Sequence, residues 1–250
     1  MATVDLKKTR PTELSQVFLG WLEFVWVFVF RPVVEWSAVF TSGVITYYLF
    51  RGRNKMLIYG RENLLFARSG TLVASNHQSM IDSFMKGTVY GKRAWFQQYI
   101  YPWNFAAAEN FMSYWWMRLL LSMFRTYGVK SSDTGKRADR SALKFAIEKL
   151  KSAHIDFFPA GTRQKDGQSY RAPRGFGMIA MHAENISPWA FTGMDQALPY
   201  YKKATDIPPR WYSGLGRTGK VLQYLEWIAG IRAGKTIRVK IGPKITAEEL

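Results

Sequence analysis

The 250-residue sequence predicts an α/β fold: a mixed, mainly parallel sheet flanked by helices, behind an N-terminal apolar helical hairpin. Two features of the chain predict this. Beyond residue 55, short apolar runs with strand character alternate with stretches of helical spacing, the pattern of a sheet covered by crossover helices. Before it, the stretches 14–30 and 33–50 are almost wholly apolar and are separated by Arg31-Pro32. Composition supplies the third argument. With 48% hydrophobic and 16% aromatic residues, a chain of this length can bury roughly 70–75% of its unfolded surface, enough for a full core.

The hairpin comes first. Proline resists continuing a helix, so Pro32 is read as the turn between two arms, each about 26 Å long, against a hydrocarbon core of about 30 Å. Glu23 and Glu35 are costly at mid-bilayer, which favours a hairpin dipping into one leaflet over two spans. Lys7, Lys8 and Arg10 precede the pair and Arg51, Arg53, Lys55 and Arg61 follow it. That basic flanking predicts membrane association, with both ends on the cytoplasmic face. No small-x-small cleavage site follows the apolar run, so it does not read as a signal peptide. The boundary is set here: residues 1–55 form the anchor and residues 56–250 the body of the protein.

In the body, MLIYG (56–60) and TLVAS (71–75) read as strands. A helix is expected over Ile81–Tyr90, a buried strand at 105–108 and a helix over Tyr114–Phe124. The polar run 130–141 reads as a loop, followed by a helix over Ala142–Ala153, with Leu143, Ala146, Ile147 and Leu150 on one face. IDFF (155–158) is a strand leading into a polar loop from Gly161 to Gly175, and 186–191 and 236–241 are further strands.

The charge narrows the function. Lysine and arginine exceed aspartate and glutamate by 35 to 18, a net +17, and the sequence contains no cysteine. Disulfides, thiolate metal sites and cysteine nucleophiles are therefore excluded. A surplus of this size points to an anionic partner: nucleic acid, lipid headgroup, or a phosphorylated or acidic substrate. Residues 1–50 are balanced, so the 200 residues that follow carry the whole surplus. No helix-turn-helix, zinc spacing or RNA-binding aromatic motif accompanies it, and nucleic acid is not the expected partner.

Chemistry concentrates at His77, which leaves a predicted strand within Asn76-His77-Gln78-Ser79-Met80-Ile81-Asp82. Residues five apart on one helix do not share a face. If His77 precedes the helix and Asp82 lies within it, the carboxylate can hold one imidazole nitrogen and leave the other as a general base. No second histidine or thiolate lies nearby to build a metal site. A second segment, Phe158-Pro159-Ala160-Gly161-Thr162-Arg163, is a strand end, a turn and a cation, suited to holding a phosphate. His154 and His182 read as structural.

Together these segments resemble the membrane-associated glycerolipid acyltransferases, the 1-acylglycerol-3-phosphate or lysophospholipid acyltransferase group. The family's NHxxxxD block is matched by Asn76–Asp82 and its FPEGTR block by Phe158–Arg163, except at Ala160. The likeness extends over roughly residues 56–250. It implies that His77 deprotonates the acceptor hydroxyl and Asp82 orients it, and that Gly161, Thr162 and Arg163 bind the acceptor phosphate. Lys130, after Thr126-Tyr127-Gly128-Val129, is the candidate for the acceptor-binding cation of a degenerate second block. The implied partners are membrane lipid, a lysophospholipid acceptor and an acyl thioester donor, acyl-CoA or acyl carrier protein, with no cofactor. Ala160 stands where the family has a glutamate. That departure leaves a second reading open: a catalytically weak or silent membrane-bound relative that binds lysolipid.

Overall fold

The computed structural model describes residues 21–67, 70–79, 82–97, 100–108, 115–130, 139–161, 172, 174–197 and 233–249. The expected hairpin is replaced by one helix, α1 (Trp21–Gly52). The chain does not turn at Arg31-Pro32, because the preceding segment Trp26–Phe30 widens into a π-helical turn and the α-helix restarts at Arg31. Pro32, which cannot donate to the turn before it, follows directly on this widened turn, a place where a helix accommodates a proline without ending. The part of the first arm before Trp21 lies outside the described residues. By length and composition α1 could cross a membrane. Trp21, Phe24, Phe28, Phe30, Val33 and Trp36 are exposed along it, whereas Val39 and Phe50 are buried in the body. Glu35 is only partly exposed, and its charge acts on the buried Arg125, so this acid is directed at protein.

The remaining elements are β1 (Lys55–Tyr59), β2 (Thr71–Ser75), α2 (Asp82–Tyr90), α3 (Lys92–Phe96), β3 (Asn104–Ala107), α4 (Trp115–Met123), β4 (Thr126–Val129), α5 (Arg140–Leu150), β5 (Ile155–Phe157), α6 (Arg174–Ala180), β6 (Asn185–Thr192), α7 (Met194–Ala197), β7 (Thr236–Ile241) and β8 (Ile245–Thr246). The main sheet runs β1-β7-β6-β2-β5, with β8 also on β6. Its pairings are parallel except where β7 and β8 meet β6. β3 and β4 form a parallel pair that joins the main sheet through the bridge between Trp103 and Ile155.

Successive strand residues point to opposite faces, and β2 is buried on both. Val73 enters a core with Val39, Met85, Val89, Trp189, Phe191 and Val239 beneath α1, α2 and α3. Leu72 enters the opposite core with Ala146, Leu150, Ile155, Ile179 and Ile186 beneath α5 and α6. Each fully buried aliphatic side chain contributes about 1.5–3 kcal/mol of transfer free energy. α5 begins at an aspartate cap: the Asp139 side chain accepts from the Ser141 and Ala142 N–H groups at 3.0 and 3.3 Å. The hydroxyl of Ser141, then the N–H groups around it, hold the Asp139 carboxyl below the usual range.

This topology positions the site. β2 has parallel neighbours on both sides, with Ala74 opposite Phe157 on β5 and Ser75 opposite Trp189 on β6. The residues that follow β2 and β5 therefore emerge side by side at the carboxyl end of the sheet, where open α/β sheets place their ligands.

Candidate active site

His77 lies in the short loop between β2 and α2, and Asp82 is the first residue of α2. The His77 Nδ1 is 3.0 Å from Asp82 Oδ2. The same oxygen accepts the backbone N–H of Gln78 at 2.5 Å and of Ser79 at 2.8 Å. Asp82 is fully buried, while His77 keeps 20% of its side-chain exposure. An oxygen already accepting two N–H groups acts as an acceptor toward the ring. The Nδ1 therefore carries the proton and donates it, which leaves Nε2 with a free lone pair.

Asn76 anchors this loop to β6. Its Nδ2 donates to the Phe191 carbonyl at 2.8 Å, and its Oδ1 accepts the Phe191 N–H at 2.7 Å. The side chain thus continues the sheet pairing beyond the end of β2. On the other side, the His77 ring stacks on Phe158, with centroids 4.1 Å apart and planes 17° apart. Phe158 follows β5, so the two sequence segments meet in space. The turn from Phe158 to Gly161 is closed by the Gly161 N–H donating to the Phe158 carbonyl at 2.8 Å. Gly161 has φ +66° with open space around its Cα, a conformation that suits glycine. Ala160, half-buried in this turn, offers no carboxylate.

Thr162 and Arg163 lie outside the described residues. Lys130 is exposed, and its backbone N–H donates to Asp139 Oδ2 at 3.2 Å. Among the described contacts none joins it to His77 or Asp82. His154 is buried, with Nε2 2.7 Å from the Ala67 carbonyl and Nδ1 3.4 Å from the Tyr90 hydroxyl. Burial holds its pKa below the usual histidine range, opposed by the bond to Ala67. His182 is exposed, with Nδ1 2.9 Å from the Met178 carbonyl. Among the described residues no group of three or more histidine, aspartate and glutamate side chains gathers as a metal-ligand set.

Sequence reasoning missed a buried ion pair at the site. Lys86, one helical turn after Asp82 on α2, pairs with Asp156 on β5, and both side chains are fully buried. The Lys86 Nζ also lies 4.6 Å from the centroid of the Phe158 ring. Burial lowers the Lys86 pKa well below that of an ordinary lysine, with the Asp82 charge opposing. A signal was present: Asp156 is the one charged residue of an apolar strand and Lys86 the one cation of α2, and buried charges have to find opposite charge.

An acidic group that orients an imidazole at the carboxyl ends of parallel strands is an arrangement able to serve base-assisted transfer or hydrolysis. The comparisons make this specific. Residues 55–208 match the family model described as Acyltransferase, and the chain belongs to the acyltransferase family. Its fold is similar to that of the 1-acyl-sn-glycerophosphate (LPA) acyltransferase PlsC from Thermotoga maritima, with a TM-score of 0.54 and 16% identity, over 94% of this chain and 85% of that one. No curated protein matches the sequence.

Proposed function

We propose that this acyltransferase moves a fatty acyl chain from an acyl thioester, acyl-CoA or acyl carrier protein, to the free hydroxyl of a lysophospholipid at the cytoplasmic face of a membrane, with 1-acylglycerol-3-phosphate the foremost acceptor. The observation that carries this reading is the His77–Asp82 bond, which leaves Nε2 able to take a proton. The acceptor hydroxyl gives its proton to Nε2 as its oxygen attacks the thioester carbonyl. The C–S bond then breaks, and the departing sulfur takes the proton from His77, so an ester and a thiol form and the base is restored. Asp82 stabilises the imidazolium during the step. The turn at Gly161, with Thr162 and Arg163, is assigned to the acceptor phosphate, and Lys130 to a secondary anionic contact. The exposed aromatic face of α1 and the net charge of +17 suit a surface of anionic lipid.

The test is an acyl-transfer assay on purified protein with acyl-CoA, acyl carrier protein thioesters and a panel of lysolipids. Wild type should form diacyl product and His77→Ala should not; equal product from both overturns the reading. Ala160 supports the silent-relative alternative, which predicts lysolipid binding without turnover. Clear wild-type turnover excludes it.

A further inference from the structure

The Lys86–Asp156 pair is unusual in where it sits. Two oppositely charged side chains are fully buried against each other, and taking them from water costs more than an apolar pair of the same volume. The fold fills other buried positions of α2 with apolar side chains, Met85 and Val89, although the same helix also buries Asp82 and Thr88. The pair is instead connected to the dyad in two ways. Lys86 shares a helix face with Asp82, one turn away. Its ammonium lies against the Phe158 ring, the ring on which His77 stacks. β2 and β6, the strands beside the His77 loop, contribute no acidic or basic side chain (Thr71–Ser75 and Asn185–Thr192).

We propose that Lys86 and Asp156 are positioning residues for His77: the pair fixes the Phe158 ring from within the core, and that ring sets the plane of the imidazole so that its Nδ1 stays on Asp82. A cation held against an aromatic ring is attracted to its π-electrons, and more strongly when both are desolvated. Asp156 holds the ammonium in place. With Lys86 protonated and Asp156 ionised the pair sums to zero, so Asp82 remains the charge that faces His77. This inference rests on the acyl-transfer reading only for its kinetic arm.

The experiment uses the full chain in detergent micelles. Lys86→Met/Asp156→Leu replaces the pair with apolar side chains of similar size and should melt at the same temperature as wild type or higher. Its kcat should fall about tenfold, with the acceptor KM within about twofold, as expected for a base held off its angle. Phe158→Leu should show the same loss, and adding the pair substitution to it should cost little more, because both act through one ring. A readout without substrate separates this inference from the acyl-transfer reading. In wild type the His77 ring protons should be shifted upfield by the Phe158 ring current in NMR spectra. They should move toward free-histidine positions in the double variant. Lys86→Gln/Asp156→Asn, which keeps a hydrogen bond but removes the ammonium, serves if the apolar variant does not fold, and should give the same shift. Unchanged His77 signals in a folded variant overturn the proposal, as does a kinetic loss that adds in full to that of Phe158→Leu. If wild type transfers no acyl group while the signals move as described, the acyl-transfer reading fails and the positioning role stands.

Discussion

The imidazole of His77 lies nearly parallel to the ring of Phe158, 4.1 Å away. This contact joins two segments that are far apart in the sequence, and it follows from strand order. β2 and β5 are parallel neighbours with Ala74 beside Phe157, so the next residues of each are released at the same end of the sheet. The stacking face limits ring rotation, and the Asp82 bond selects the tautomer.

The tautomer gives the first prediction. Asp82→Asn keeps the shape but replaces a charged acceptor with a neutral amide, so His77 loses the group that stabilises its protonated form. We expect kcat to fall by about 10²–10⁴, with the acceptor KM little changed. Steady-state kinetics on folded protein checks this, and kcat within threefold of wild type would exclude the dyad.

Asn76→Ala tests the loop anchor. It removes both side-chain bonds to Phe191 and leaves a backbone N–H and carbonyl without those partners. The expected loss is about 2–3 kcal/mol in denaturant unfolding. Activity should fall too, since the adjacent His77 loses its tether to β6.

Gly161→Ala tests the turn. There is room for the added methyl group, but φ is +66°, so the cost is conformational, about 1 kcal/mol. If this turn presents the acceptor-binding groups, the acceptor KM should rise while donor saturation stays as in wild type. A change confined to the donor would reassign it.

His154 predicts a pH effect on stability. Burial depresses its folded pKa, so on acidification the unfolded chain takes up a proton before the folded protein does. Stability from this group is complete above the unfolded value of about 6.5 and is lost as pH falls below it. Denaturation midpoints should therefore drop between pH 7.5 and 5.5. His154→Gln should be weaker at pH 7.5 yet lose less over that interval.

Much of the fold was legible from local pattern. β2 and β7 occur where their short strand-like runs place them, over Thr71–Ser75 and Thr236–Ile241. The helices around Ala146 and before Tyr90 follow their apolar spacing. His77 and Asp82 were legible because their separation is local: a loop and the first turn of one helix bring them together. The turn at Pro32 was misread because a proline's effect depends on the turn before it. The π-helical widening at Trp26–Phe30 is not marked by any one residue type.

By itself, the sequence determined the α/β class, most element positions, the proximity of His77 and Asp82, and the family resemblance, all of which depend on residues near one another in the chain. Only the tertiary structure decided that β7 and β6 separate β1 from β2, that Phe158 lies beneath His77, and that Lys86 meets Asp156. Strand order and buried charge pairing are set by which distant surfaces exclude water together. That free energy belongs to the packed chain and leaves only indirect traces in local pattern.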